Sequence, residues 1–314
     1  MNYPTRHRLK DLVKDITGTP FVGVAAVTPV SDEAQELYRQ WISSGRHGEM
    51  KYMERYADIR RDPSSLLEGA STIIMAAFSY ANPEAIRQMA SNDVPLISEY
   101  ALGSDYHTVL RKSMTALGER ITADFGGAYR VCIDTAPLRE RYWAQQAGLG
   151  FIGRNNYLII PGHGAHFFLA ALLWTGTPVD GYDEPCALTC GDCGKCREAC
   201  PTGALKPDGG CDTRRCLSYL TIECREPLPD GLNARNNLFG CDICRNACPH
   251  QSPLRPATDI PDFTARQEIL SLSFDDWAEM TQQRYNTLFK DSAVKRAKLP
   301  KLKANASLLA NKKS

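Results

Sequence analysis

Apolar positions recur at helical spacing over residues 3–17, and Gly18 and Pro20 close the run, so the chain is predicted to open with a helix. Residues 21–27 switch to a β-rich apolar run and read as a strand. A helix is predicted over 33–43, a polar, charged stretch over 45–62, and a second, buried strand over 72–78. Residues 82–95 read as a loop with a short helix, and 105–125 as a long amphipathic helix. A third strand, 129–133, ends at Asp134. Thr135-Ala-Pro137 then predicts a helix running to Ala147, capped by Thr135 or Asp134 with Pro137 in its first turn. Residues 157–160 and 167–173 are further strands. Strands and helices alternate to about residue 180, which predicts an α/β layer structure. Cysteine spacing replaces periodicity up to about residue 255. The end is helical again, over 270–280 with Ser271 or Ser273 as cap, and then basic.

Composition bounds this picture. The 314 residues are 43% hydrophobic and 23% charged, ordinary for a globular chain of one large and one small domain, or of two domains. The longest apolar run, 167–174, is far too short to span a bilayer. Residues 1–10 carry no export pattern, so a cytoplasmic, monomeric protein without a membrane partner is expected. A net charge of +1 makes no case for nucleic acid, but residues 290–314 hold eight Lys or Arg against one acid.

All but Cys132 of the 12 cysteines fall between positions 186 and 248. Cys190-Gly-Asp-Cys193-Gly-Lys-Cys196-Arg-Glu-Ala-Cys200-Pro201 is the C-x2-C-x2-C-x3-C-P run of bacterial ferredoxins. In that run three thiolates hold one iron–sulfur cube and the fourth reaches a second. A partial second run follows, Cys241-Asp-Ile-Cys244-Arg-Asn-Ala-Cys248-Pro249. Reciprocal arms assign Cys190, Cys193, Cys196 and Cys248 to one 4Fe–4S cluster, and Cys200, Cys241 and Cys244 to another. The second cluster lacks a ligand, and Cys211, Cys216 or Cys224 could supply it; spacing does not choose. A zinc ribbon is the bland rival, and the triple x2 spacing followed by x3-Cys-Pro argues against it.

Gly148-Leu-Gly150-Phe-Ile-Gly153 matches G-x-G-x-x-G, but it follows a helix and precedes a strand, and position 168 is Phe where an acid is needed. A nicotinamide site is therefore rejected; the glycines are expected to allow a tight turn or a close approach to a bulky ligand. His47, His163, His166 and His250 show no ligand-pair spacing. His107 lies in Asp105-Tyr-His107-Thr-Val-Leu110, where Leu110 replaces the glycine of the D-x-H-x-x-G cobalt-ligand motif, so it reads as a polar pocket or helix residue.

Several further segments now fall into order: Arg60-Arg-Asp-Pro63, Gly103-Ser-Asp-Tyr-His107, Asp134-Thr-Ala-Pro137, Gly148 to Asn155, and Phe167-Phe-Leu169. Pro201-Thr-Gly-Ala204, Arg215-Cys-Leu-Ser-Tyr-Leu-Thr221 and Phe239-Gly-Cys-Asp242 complete them. Together with the cysteine runs, the set resembles the epoxyqueuosine reductases, cobalamin-dependent iron–sulfur enzymes of queuosine synthesis on tRNA, related to reductive dehalogenases. The resemblance implies a nitroreductase-like, cobalamin-binding α/β domain over 1–180, of α+β or α/β class. It implies a two-cluster ferredoxin-like domain over 181–255 and a short helical, basic C-terminal segment over 256–314. It also implies Cys216 as the missing ligand, and corrin contacts near Arg60, Ser98, Asp134, Leu158, Leu169, Ser218 and Asp242, several of them through backbone atoms. A forked donor such as Arg60 suits an amide or phosphate oxygen.

Asp134 is implied as the proton donor. The physical case is that a carboxyl group facing an apolar macrocycle has its charged form disfavoured and can donate near neutral pH. The bland reading is helix capping. Lys295, Arg296, Lys298, Lys301 and Lys303 could meet tRNA phosphates, or form a solvated end. Longer family members continue into a helical repeat extension; this sequence ends at Ser314. The expected activity is reduction of the epoxide of epoxyqueuosine in tRNA, with electrons from an external donor passing through two 4Fe–4S clusters to cobalamin. The rival expectations are a small-molecule, dehalogenase-like reductase and a non-catalytic electron carrier.

Overall fold

Apolar runs, interrupted by charge only at Arg130, build the sheet of this protein. In the computed structural model, residues 4–207, 209–251 and 256–310 are described. The predicted helix start at Tyr3, the boundary at 255 and the basic end over 311–314 lie outside the described residues. Among the described residues the strands are β1 (Phe21–Ala26), β2 (Thr72–Ser79), β3 (Leu96–Ile97), β4 (Tyr129–Cys132), β5 (Phe151–Ile152), β6 (Leu158–Ile159), β7 (Phe167–Trp174) and β8 (Asn237–Phe239). The chain divides into two compact units.

The first unit takes residues 1–44, 52–78 and 107–191. Its sheet has the order β1-β2-β7-β4. β1 pairs antiparallel with β2, and β4 antiparallel with β7. The two central strands are almost wholly buried, which is why they read as unbroken apolar runs. β5 and β6 form a separate hairpin. Trp143, Leu138, Leu158 and Cys132 pack with Ile73, Met75 and Leu173 in the main core of this unit. The opening helix is Arg6–Thr17, capped by Thr5 and stopped by Gly18 in the left-handed conformation. Ser31 caps Asp32–Ser43. The predicted long helix is Tyr106–Phe125.

The predicted helix after Asp134 starts later than expected, at Glu140, and runs to Gln146. Asp134 has φ +44°, which neither a helix interior nor an ordinary N-cap accepts. Its side chain turns elsewhere, as described below.

The glycine-rich segment separates into a turn and a close approach. Gly148 has φ +73°. A Cβ on Gly150 would stand 2.2 Å from the Ile159 carbonyl oxygen. Gly150 therefore lets the hairpin strands close on each other, in place of the bulky ligand expected there.

The second unit takes residues 45–51, 79–106 and 192–314. It is built from short helices and the parallel pair β3–β8. Its core gathers Phe239, Leu238, Trp277, Phe289 and Leu302. The terminal helix Lys298–Ala310 buries Leu299, Leu302, Ala306 and Leu309 and packs on Phe274–Ala278. Ser273, one of the two predicted caps, closes a capping box with Asp276. Buried Asn305 donates to the carbonyls of Thr221 and Leu238, tying the terminal helix to β8. Among the described residues no helix is long and apolar enough to cross a membrane.

Candidate functional site

The thiols of the second unit come from short helices whose boundaries follow the cysteine spacing. Cys196 lies in Lys195–Ala199 and Cys244 in Ile243–Asn246, and these two helices pack together. Cys216 is the N-cap of Leu217–Ile222. Burial pushes the Cys244 thiol up, and the adjacent Cys241, Cys216 and Cys200 add to it by like-charge repulsion. Burial also pushes Cys241 up to about 12, with Cys216 and Cys200 contributing. Cys200, Cys216, Cys241 and Cys244 therefore share one locality. Among the described residues no three such side chains stand at metal-holding spacing, but four thiols that feel one another's charge are the raw material of a soft-metal ligand set.

Two thiols in the set are prepared for ionisation by hydrogen bonds. Burial raises Cys200, but the Thr202 hydroxyl and the N–H groups of Thr202, Ala204 and Leu205 outweigh it and lower its pKa overall. Cys216 is lowered to about 6, first by a hydrogen bond with Cys211 and then by the N–H groups of Tyr219 and Ser218. Cys211 is correspondingly raised. Cys211 is thus the donor and Cys216 the thiolate. Cys224 turns to the Glu49 carboxylate, 3.9 Å away. The three residues that spacing left open thus differ in their hydrogen-bond partners.

Ser98 and Asp242 meet each other. Ser98 Oγ donates to Asp242 Oδ1 at 2.5 Å, and the Glu99 N–H donates to Oδ2 at 2.8 Å. Arg245, buried at 1% exposure, pairs with the same carboxylate and donates to the Tyr80 hydroxyl. Both carboxylate oxygens of Asp242 are occupied within the protein. Ser218 donates its backbone N–H to Cys216.

In the first unit, the backbone N–H of Arg154 donates to Cys190 Sγ at 3.4 Å, and Arg154 Nη2 donates to the Gly191 carbonyl at 2.8 Å. The glycine-rich segment therefore ends in a residue that braces the first cysteine loop. Leu158 is buried in the core, and Leu169 packs against it half-buried. Arg60 is 9% exposed; its Nη1 donates to the Leu138 carbonyl at 3.4 Å, and its Nε is buried with no partner.

Asp134 follows β4 and is exposed. A left-handed conformation in a residue other than glycine costs about 1–2 kcal/mol. Its Oδ2 stands 3.1 Å from His107 Nε2, in the first turn of Tyr106–Phe125. Its backbone N–H donates to Glu140 Oε1 at 2.6 Å. Burial, then the Asp134 charge, pushes the Glu140 carboxyl up to about 8, against the lowering effect of that N–H, Arg141 and Arg60. The carboxyl whose charged form burial disfavours is thus Glu140. Sequence reasoning missed it, because an acid opening a helix already has an ordinary explanation in the helix dipole.

At the basic end, Arg296 makes a bidentate pair with Glu223 at 2.7 and 2.8 Å. Lys301 donates to the Glu226 carbonyl at 2.5 Å and Lys303 to the Met280 carbonyl at 3.4 Å. Lys295 and Lys298 are exposed.

A gathered thiol set in one unit and an α/β sheet in the other suit an iron–sulfur redox protein, and comparison with known proteins sharpens this. Residues 189–251 match the family described as a 4Fe–4S double cluster binding domain. Residues 60–135 match the family described as epoxyqueuosine reductase QueG, DUF1730. The chain is 37% identical to an epoxyqueuosine reductase of Leadbetterella byssophila over 93% of this chain and 94% of that one. It belongs to the epoxyqueuosine reductase family. Among solved structures, it resembles an epoxyqueuosine reductase crystallised with an epoxyqueuosine-modified tRNA-Tyr stem loop. The TM-score is 0.83 and the identity 25%, covering 96% of this chain and 80% of that one. A Bacillus subtilis epoxyqueuosine reductase, captured with its catalytic aspartate loop swung out of the active site, matches with the same TM-score, identity and coverage.

Proposed function

We propose that this protein reduces the epoxide of epoxyqueuosine in tRNA to the alkene of queuosine. The observation that carries the reading is the relationship to named reductases along 93% of the chain. The overall change consumes two electrons and two protons and releases the epoxide oxygen as water. The electrons come from an external one-electron donor. Cys190, Cys193, Cys196 and Cys248 hold one 4Fe–4S cluster; Cys200, Cys216, Cys241 and Cys244 hold the other. The hydrogen-bonded thiolate of Cys216 and the mutual proximity of its three partners support the second set. When bound, the clusters and cobalamin supply single-electron chemistry that side chains lack.

The cobalamin reading divides the chain into a nitroreductase-like part over 1–180, a cluster part over 181–255 and a helical basic part over 256–314. Arg60 fits a cofactor contact, since its buried Nε has no acceptor of its own. Leu158 and Leu169 contribute apolar surface, and Ser98, Ser218 and Asp242 act through backbone atoms or by ordering neighbours. Asp134 donates the proton to the departing oxygen, and its exposed carboxyl beside His107 suits that role. The Asp134 turn takes the part of the catalytic aspartate loop of the Bacillus subtilis relative. The tRNA is held in part by phosphate contacts, for which exposed Lys295 and Lys298 are better placed than the internally bonded Arg296, Lys301 and Lys303. A splayed anticodon-loop base enters the site. The protein works in the cytosol.

The test is anaerobic incubation of cobalamin-loaded protein with a chemical one-electron reductant and epoxyqueuosine-bearing tRNA. Nuclease digests should contain queuosine. Unchanged epoxyqueuosine, with iron and cobalt both present, would overturn the reading.

A further inference from the structure

Asp134 sits in a backbone conformation that it does not favour, at the end of a strand and with an exposed side chain. Such a turn persists only where neighbours hold it. One hold is on the side chain, from His107. Another is on the backbone, where Glu140 Oε1 accepts the Asp134 N–H at 2.6 Å. Glu140 is itself well anchored. It opens the helix Glu140–Gln146, whose Trp143 and Ala144 are buried in the core of the first unit. The residue as a whole is half-buried. The connection spans six residues, and Leu138 within it is buried and closes a tight turn onto the Ala136 carbonyl. The acceptor is thus fixed, and the loop is the part free to leave it.

We propose that Glu140 is a positioning residue: by accepting the Asp134 backbone N–H, it holds the Asp134 turn in its left-handed form and keeps the Asp134 carboxyl beside His107. The inference rests on Asp134 being the proton donor, and adds what holds that donor in place. Glu140 touches no reacting atom in this account.

The test uses the cluster- and cobalamin-loaded protein and three variants, Glu140→Ala, Glu140→Asp and Glu140→Gln. Hydrogen exchange is followed in peptides covering residues 133–139, and turnover is measured on epoxyqueuosine-bearing tRNA. Losing this hydrogen bond should speed exchange at the Asp134 amide by roughly 3–10-fold in Glu140→Ala. Glu140→Asp withdraws the acceptor by one methylene and should do the same, which keeps the test open if the alanine variant does not fold. Glu140→Gln retains a carbonyl acceptor and should stay near wild type in exchange and in turnover. In the alanine and aspartate variants kcat should fall with KM for tRNA unchanged, since the acid is misplaced and the RNA contacts are not. Unchanged exchange in both variants overturns the latch. Faster exchange with undiminished kcat overturns its positioning role. Asp134→Ala turning over at the wild-type rate would instead sink the proton-donor reading, and the exchange result would still decide whether Glu140 holds the turn.

Discussion

The thiols of the second unit and the Asp134 turn of the first are specified in opposite ways. Cys200, Cys216, Cys241 and Cys244 sit on helices of four to six residues or at their ends, and their spacing along the chain does much of the work. Their hydrogen bonds come largely from residues two to five positions away, such as Thr202 and Leu205 for Cys200 and Ser218 and Tyr219 for Cys216. Asp134 depends on His107, 27 positions earlier, and on a backbone conformation outside the usual range. A ligand set needs the right atoms near one another, because bound metal completes the ordering. For the proton donor that Asp134 is proposed to be, there is no such organiser, so the protein itself must supply both its conformation and its partners.

That contrast can be broken at either end. The largest effect should come from Cys244→Ala. It removes one of four thiolates from the second cluster set, so iron content should fall by about half and turnover should be lost. Hydrogen exchange over residues 133–139 should not change, because His107 and Glu140, which hold the Asp134 turn, are not thiols and lie in the first unit. Iron analysis, an anaerobic optical spectrum and exchange on the same sample check all three. Full iron retention would remove Cys244 from the ligand set. Next in size is Asp134→Ala. Removing a positioned general acid typically lowers the rate by about 10²–10⁴-fold. Iron and cobalt content should match wild type. If iron fell with the activity, the two regions would not be separable and the comparison would fail.

How much of this was legible depended on whether the signal was local. β1, β2, β4 and β7 each occupy a run of apolar residues that the alternation of elements brackets, so the sheet was readable strand by strand. β3, β5 and β8 are two or three residues long and carry no periodicity. No shift in composition marks residues 45–51 and 79–106 as belonging with the cysteine-bearing unit, because that allegiance is made by tertiary contacts. Cysteine spacing pointed to both arms. It left Cys211, Cys216 and Cys224 undecided because they differ in their hydrogen-bond partners, which spacing does not encode. The helix after Asp134 was placed four or five residues early. Pro137 and Thr135 are sound start signals, but Asp134 turns to His107 and away from the helix, and the chain does not become helical until Glu140.

The finest test concerns protons, since the two regions treat them differently. Cys200 and Cys216 are lowered and favour their charged forms; Glu140 is raised to about 8 and favours its neutral one. For Glu140 the sign runs against the usual carboxylate. Below its ordinary value of 4.5 both the folded and the unfolded chain hold the proton, and Glu140 contributes nothing. Between 4.5 and about 8 the unfolded chain has lost the proton while the folded one keeps it, so wild-type stability falls as pH rises through this window. Above about 8 the penalty is complete and constant. Asp134 adds to it, while Arg141 and Arg60 oppose it. Glutamine never ionises, so Glu140→Gln escapes the penalty. Its thermal midpoint, measured anaerobically on the loaded protein, should match wild type near the acid end of the window. It should exceed wild type by about 2–4 °C once the pH passes the upper end. A gap that widens toward acid instead would mean that Glu140 is stabilised as the anion, and that the Asp134 N–H and the two arginines outweigh its burial.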